Sequence, residues 1–204
     1  MRYGFYGLDP VYPTRYDVSL RSGLSIVTLD ELKQHLFVYD NENDEYLSRL
    51  LIVGTELAEN FLGEFLTFNQ VTAYWPSFRG PLLLPNRFID SVVSVQYVDS
   101  AGLLQVVPTT TWIFDNTGRF PVVKERSGQA FPDDLSPDLD NPVSVIYEAS
   151  IDDSNVTETV KQAVLLYCAA FWQSRESYIA TGAVPQTLPI AAERLLGPLK
   201  QVSI

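Results

Sequence analysis

The feature that most constrains the fold is an apolar run in the last third of the chain. Every residue from 163 to 172 is apolar or aromatic, and the run contains neither glycine nor proline. Charged residues return only at its ends, so we expect one helix over about 156–177. A helix that is apolar on all sides is buried against more than one neighbour. We expect it to be the central element of the core, with the key positions Ala163, Tyr167, Phe171, Trp172 and Arg175.

The composition predicts a folded protein with an acidic surface. Of the 204 residues, 46% are hydrophobic, and the net charge is −11. Nonspecific nucleic-acid binding depends on Lys and Arg contacts to phosphate, and anionic membranes attract basic segments. The charge therefore argues against both partners, although DNA could pass nearby without being held.

The apolar run is shorter than the roughly 20 residues that a membrane span needs, and the first residues lack a signal peptide's apolar segment. We expect a soluble protein made in the cytoplasm.

Cys168 lies inside the apolar run and is the one cysteine of the chain. An intrachain disulfide is therefore excluded. A cysteine in such a run most often serves as a small core hydrophobe, which is the role we expect here.

Two helices are predicted before the middle of the chain. Thr28 and Glu31 are spaced as a capping box, in which each side chain binds the other residue's backbone N–H. A short helix should follow to about Val38. A second helix is expected over about 44–65, where Gly54 would let another helix approach closely.

Residues 69–150 change in character to short apolar runs separated by turn signals. This pattern predicts six to seven antiparallel strands, with an acidic loop at 132–142. A last helix is expected over about 188–200. The fold class is therefore α+β: a bundle of about four helices, formed by 25–68 and 151–204, with an antiparallel β domain at 69–150 inserted between helices two and three. Residues 1–24, rich in Tyr, Gly and Pro, should form an extended arm over their own domain or against a neighbouring subunit.

Signals of enzymatic chemistry are almost absent. His35 is the one histidine, and no phosphate-binding, dinucleotide-binding or zinc-protease motif occurs. The acidic loop lacks the glycine and the closing glutamate of an EF-hand. We predict no catalytic residues, no metal site and no cofactor. Tyr74, Trp75, Phe78 and Arg79 could form an exposed platform for sugar or single-stranded nucleic acid, but a place in the core is the more common role for such residues.

Four segments, taken together, resemble the head–tail connector (adaptor) proteins of long-tailed bacteriophages. They are TLDELKQHL at 28–36, Leu-Pro at 84–85 with SVVSVQYVD at 91–99, KQA at 161–163 with FWQSRE at 171–176, and LLGPLK at 195–200. The resemblance covers about Ile26 to Lys200. Phe37, Thr157 and the Ala149-Ser150 pair depart from the residues usual in that family, at loops and strand edges.

The resemblance implies a structural protein rather than an enzyme. Its subunits would form a ring, a dodecamer, below the portal of the filled capsid, joining capsid to tail and extending the DNA channel. Implied partners are further copies of the chain, the portal protein and a stopper or tail-completion protein, with DNA passing unbound through the lumen. The implied location is the head–tail interface of the virion, after assembly in the host cytoplasm. Candidate portal or subunit contacts are Leu195, Leu196, Pro198, Leu199, Lys200, Tyr3, Phe5, Tyr6 and Tyr12.

A different class of function remains open from the sequence. The β domain could belong to a phage accessory protein that binds or hydrolyses carbohydrate. Loss of sugar binding in a Trp75→Ala variant would support that alternative, and the absence of any sugar binding would exclude it.

Overall fold

The computed structural model describes residues 10–22, 24–118, 120–151, 157–173 and 189–200. The chain divides into two compact units. One contains residues 1–21 and 68–150, and the other contains residues 22–67 and 151–204. Strands occupy the first unit and helices the second. The predicted α+β class, with four helices and antiparallel strands, is confirmed.

The strand unit contains two antiparallel sheets. Its strands are β1 (Arg15–Arg21), β2 (Asn69–Trp75), β3 (Leu82–Leu83), β4 (Ile89–Val98), β5 (Leu104–Val106), β6 (Trp112–Asp115), β7 (Val122–Glu125) and β8 (Val143–Ala149). The larger sheet has the order β1-β2-β8-β4-β5, and the smaller has the order β3-β7-β6. Strands β2 to β8 match the predicted number within 69–150.

Alternating burial along β2 and β8 defines the core side of the larger sheet. In each strand every second residue is buried, as expected when one face of a sheet packs on a core. Val71 lies opposite Tyr147, and Ala73 opposite Val145. The Tyr147 hydroxyl donates a hydrogen bond to Asn86 Oδ1 at 2.8 Å, so the buried phenol keeps a polar partner.

The second half of the N-terminal segment is a strand. β1 pairs antiparallel with β2, from Arg15 opposite Tyr74 to Arg21 opposite Asn69. The pairing is irregular between Val18 and Leu20. The segment predicted as an arm at 1–24 thus contributes an edge strand to the larger sheet of its own chain.

The helical unit contains α1 (Leu29–Leu36), α2 (Asp44–Leu62), α3 (Glu158–Gln173) and α4 (Ile190–Leu196), followed by a 3-10 turn at Gly197–Leu199. α2 ends three residues before the predicted Phe65, because Gly63 adopts a φ of 72° and caps the helix. Such left-handed caps favour glycine. α4 is shorter than predicted, since the chain tightens into the 3-10 turn. In the described residues no helix combines the length and hydropathy of a membrane span.

The predicted capping box at the start of α1 is present. The backbone N–H of Thr28 donates to Glu31 Oε2 at 2.7 Å, and the Glu31 N–H donates to Thr28 Oγ1 at 3.2 Å. The Thr28 backbone N–H and the Thr28 hydroxyl both donate to the Glu31 carboxylate, and these two hydrogen bonds lower its pKa. Two of the N–H groups that a helix start leaves without partners are therefore satisfied.

The close approach predicted at Gly54 is also present. A Cβ atom on Gly54 would lie 2.9 Å from Cys168 Sγ and 3.2 Å from the Val164 carbonyl oxygen. α2 and α3 can therefore be this close only because residue 54 has no side chain.

α3 is less evenly buried than its sequence predicts. Val160, Ala163, Val164, Tyr167 and Cys168 are buried, whereas Leu165, Leu166, Phe171 and Trp172 are half-buried against the same core. Because α1, α2 and α4 all contact α3, it is the central helix of its unit. The apolar pattern correctly predicts that central place but overestimates burial on the remaining side of the helix.

Candidate assembly surface

The C-terminal residues chosen from the sequence divide between core and surface. Leu196 is fully buried and Leu195 packs against the core. Pro198, Leu199 and Lys200 are exposed, and Lys200 Nζ lies 4.9 Å from the centre of the Phe61 ring. Leu196 thus holds α4 to its own unit, and Pro198, Leu199 and Lys200 are accessible to another protein.

Tyr12 is the one residue of the N-terminal candidate set that the structure describes. It is exposed, while its neighbour Val11 is anchored to the strand unit. The Val11 N–H donates to the Pro81 carbonyl at 2.8 Å, and the Trp75 indole N–H donates to the Val11 carbonyl at 3.0 Å. Tyr3, Phe5 and Tyr6 lie outside the described residues.

The residues of α3 that were predicted as core positions are buried to different degrees. Ala163 and Tyr167 are buried, and burial together with the nearby Glu193 carboxylate raises the pKa of Tyr167. Phe171 and Trp172 are half-buried, with the Trp172 ring 6.1 Å from that of Tyr46. Arg175 lies outside the described residues.

Cys168 is a core residue, as predicted. Its thiol donates a hydrogen bond to the Leu50 carbonyl at 3.2 Å. Burial raises the thiol's pKa to about 12. Because the thiolate is the reactive form of cysteine, burial keeps this thiol protonated and weakly reactive at neutral pH.

The groups considered for chemistry do not come together. Asp133, Asp134, Asp138 and Asp140 are exposed along the loop before β8. Among the described residues, no group of three or more His, Cys, Asp or Glu side chains could hold a metal ion. His35 is a half-buried residue on α1.

The aromatic residues proposed as a platform are mostly packed. Trp75 is fully buried, and Phe78 stacks on Phe131 with ring centres 4.4 Å apart. Tyr74 is half-buried beneath the Arg15 guanidinium, whose carbon lies 4.1 Å from the ring centre. Because Trp75 exposes no aromatic face, the carbohydrate alternative loses the residue on which it depended.

Two exposed apolar features are not predicted by the sequence analysis. Phe37 and Tyr39, between α1 and α2, are 76% and 85% exposed. Leu103, Leu104 and Val106, in the β4–β5 hairpin, are each about 60% exposed. The uncharged run at 100–108 was a possible signal for the hairpin, since such a strand would normally be covered. For Phe37 the sequence holds no such signal, because the usual marker of a left-handed helix cap is glycine.

Comparisons with solved structures find a similar fold in chains of gene transfer agent particles. The structure is similar to a chain in the neck of an empty gene transfer agent (GTA) particle computed with C6 symmetry, with a TM-score of 0.70, covering 94% of this chain and 97% of the other. It is also similar to a chain of the native GTA virion (TM-score 0.69, 93% and 96% covered). A chain in the native GTA neck computed with C12 symmetry gives a TM-score of 0.68, with 94% and 97% covered.

Sequence identity to each of these three chains is 18%, so the likeness lies in the fold. No known protein family matches the sequence, and no curated protein matches it. The shared fold agrees with the resemblance to head–tail connector proteins that the sequence motifs indicate.

Proposed function

We propose that this chain is a structural head-completion protein that forms an oligomeric ring below the portal. In this role it joins the DNA-filled capsid to the tail and extends the DNA channel. The observation that carries the proposal is the fold match to GTA neck components over 94% of this chain and 97% of the matched chain. Because the match covers nearly the full length of both chains, the similarity extends to the whole subunit and is not limited to one common domain.

The symmetry of the matched assemblies supports a ring. Those necks were computed with C6 and C12 symmetry, and we propose a dodecamer for this chain. A closed ring uses a heterologous interface, in which two different surfaces of each copy meet. Further copies of the chain are therefore its first partners, followed by the portal protein and a stopper or tail-completion protein.

The charge of the chain suits a channel wall. With a net charge of −11, a ring of such subunits repels phosphate over much of its surface. DNA would then slide through the lumen without being bound. This favours a passive channel over a DNA-gripping machine.

The exposed residues after Leu196 are the candidate portal contact. Pro198, Leu199 and Lys200 project beyond the core, while the strand unit would face the tail side. Cross-linking in particles tests this orientation, because cross-links from Lys200 to the portal support it. Cross-links from the strand unit to the portal would reverse it.

Deletion of the gene tests the proposed function. Without this chain, electron microscopy should show DNA-containing heads beside separate, complete tails, and supplying the chain from a plasmid should restore joined particles. Intact tailed particles that infect poorly would contradict a role at the head–tail joint and favour an accessory protein.

A further inference from the structure

The outer edge of the larger sheet is a strand with unusual exposure. β5 forms one end of the sheet, and among the described residues no strand lies beyond it. On its inner side it is paired in register with β4: the Val107 N–H donates to the Val95 carbonyl at 2.8 Å, and the Asp99 N–H donates to the Leu103 carbonyl at 3.0 Å. Leu104 and Val106 are 62% and 61% exposed.

Although β5 is only three residues long, this edge lacks the side chains and irregularities that usually protect an edge strand. Proteins discourage pairing at free edges with charged side chains, prolines or bulges. Residues 100–107, SAGLLQVV, contain no charge and no proline. The β4–β5 pairing is regular over Gln96–Val98. An uncharged, apolar edge of this kind is therefore most readily explained if another strand covers it in the functional state.

The strand is also held rigidly in place. Asp99 Oδ1 accepts hydrogen bonds from the N–H groups of Ala101 (3.0 Å) and Leu103 (2.9 Å), and Asp99 Oδ2 accepts one from Gln105 Nε2 at 2.7 Å. The turn that presents β5 is thus fixed by one carboxylate. Binding to a fixed edge loses less conformational entropy than binding to a mobile one.

The opposite edge of the same sheet, β1, differs from β5: it carries charged side chains, and its pairing with β2 is irregular between Val18 and Leu20. Arg15, Asp17 and Arg21 leave β1 with two positive charges and one negative charge. Tyr16 and Leu20 are exposed. In a chain of net charge −11, an uncharged edge and a slightly positive one can approach each other without the repulsion expected over most of the surface.

The direction of the strands also fits. Each neighbouring pair in the larger sheet is antiparallel, so β1 and β5, at the two ends of five strands, run in the same direction. A small rotation about a ring axis would bring β5 of one copy beside β1 of the next, as a parallel pair. The two surfaces are different, as a heterologous interface requires.

We propose that β5 of each copy pairs with β1 of the next copy, so that the sheets join around the ring. This inference rests on the ring in the proposed function and identifies the surfaces that close it. The occupant of the β5 edge is thus a second copy of this chain, rather than the portal or a tail protein.

Paired cysteines test the proposal in assembled particles. Asp17→Cys on β1 is combined with Leu104→Cys or with Val106→Cys on β5, to cover two registers. Cys168 needs no replacement, because it is buried and its pKa is raised to about 12. A short thiol cross-linker should convert at least one double variant into a ladder of covalent multimers. The matched control, Asp17→Cys with Asp134→Cys in the exposed loop, should stay monomeric on a denaturing gel.

The single variants separate the possible outcomes. Neither single variant should cross-link alone, and particles assembled from an equal mixture of the two should give covalent dimers only. A dimer from Leu104→Cys alone would overturn the proposal, because it would show β5 paired with itself. Rings that form without cross-links in either register would overturn it and leave the proposed function standing. Failure of the unmodified chain to form any ring would instead contradict the proposed function.

A second variant tests the edge without cross-linking. Leu104→Lys places a charge on the free edge and should abolish ring formation, while the monomer keeps its circular dichroism spectrum and its melting temperature. Leu139→Lys, at an exposed apolar residue in the loop before β8, is the matched control and should assemble normally. Normal assembly of Leu104→Lys would overturn the proposal.

Discussion

Phe37 combines two properties that seldom occur in one residue. It follows α1 with a φ of 57°, the one positive φ at a non-glycine residue among those described, and its side chain is 76% exposed. The Val38 N–H donates to the Lys33 carbonyl at 3.0 Å, which is the bond of a Schellman cap. Glycine is the usual residue at this position because the left-handed conformation is unfavourable for a side chain.

Replacing Phe37 with glycine should stabilise the protein. The left-handed conformation costs a non-glycine residue about 1–2 kcal/mol, and the extra chain entropy of glycine offsets about 0.5–1 kcal/mol. We expect Phe37→Gly to raise the free energy of unfolding by about 0.5–1 kcal/mol, measured by urea denaturation. Phe37→Ala keeps the strained Cβ and should give no such gain. A loss of stability in the glycine variant would contradict this account of the cap.

The Cys168 thiol should be inert in the folded protein. With its pKa raised to about 12, its thiolate fraction at pH 8 is about 10³-fold below that of a free cysteine with a pKa of about 8.5. A thiol reagent whose reaction product absorbs light should therefore detect no cysteine in the native protein and one cysteine per chain in denaturant. Rapid reaction of the native protein would show that α2 and α3 open to solvent.

Individual residues differ in how far the sequence determines their roles. The Thr28–Glu31 capping box and the core position of Cys168 follow from local pattern, because the relevant partners are a few residues away or the apolar context is continuous. The strain at Phe37 does not follow, since the usual marker of a left-handed cap is glycine. Exposure of Leu104 depends on which strand occupies the sheet edge, which is a long-range property.

At the scale of elements, α2 and α3 pack closely at Gly54. Gly54→Ala should destabilise the protein by about 1–2 kcal/mol, since the clash with Cys168 Sγ and the Val164 carbonyl outweighs the better helix propensity of alanine. Chemical denaturation measures the loss. Gly197→Ala is the control, because a Cβ there meets no atom within 4 Å, and it should be neutral.

A double variant tests the cause of that loss. The double variant Gly54→Ala/Cys168→Ala lacks the sulfur that the new Cβ would meet. Its loss of unfolding free energy should therefore be smaller than the sum of the losses in the two single variants. Strictly additive losses would contradict a direct contact between residue 54 and Cys168.

The β4–β5 turn should weaken in acid. Hydrogen bonds from the Leu103 backbone and the Gln105 side chain hold the pKa of Asp99 below its usual value. Because the pKa of Asp99 is lower in the folded protein, the ionised carboxylate stabilises the turn fully above its ordinary pKa of about 3.9. This stabilisation is lost as the pH falls through the lowered pKa of the folded protein. Hydrogen-exchange protection of the Ala101 and Leu103 N–H groups should follow this dependence. Asp99→Asn should lower that protection already at pH 7; unchanged protection would contradict the role of the carboxylate.

Elements are predicted more accurately than their burial. The helices and the strands β2 to β8 follow from periodicity and turn residues, and their ends shift by a few residues where caps such as Gly63 intervene. The apolar run of α3 predicts burial on all sides, yet Phe171 and Trp172 are half-buried. Periodicity cannot tell how many neighbours a helix has, because that number is set by elements distant in sequence.

At the scale of the whole molecule, the insertion of strands between two pairs of helices follows from the order of elements, whereas the strand order does not. β1 pairs with a strand distant in sequence, Arg15 with Tyr74 and Arg21 with Asn69, and β8 enters between β2 and β4. Such pairings are decided by register and burial across the sheet. The two edges proposed to close the ring exist only because of this order, so the sequence alone could not have placed them.

The most direct test of the account is a cryo-electron-microscopy reconstruction of the neck of particles that contain this chain. The account predicts a closed ring of copies of this chain between portal and tail, with twelve-fold symmetry of the kind used for the matched native neck, and with β5 of each copy beside β1 of the next. A neck that lacks this chain, or that holds it as an isolated subunit outside any ring, would contradict the account.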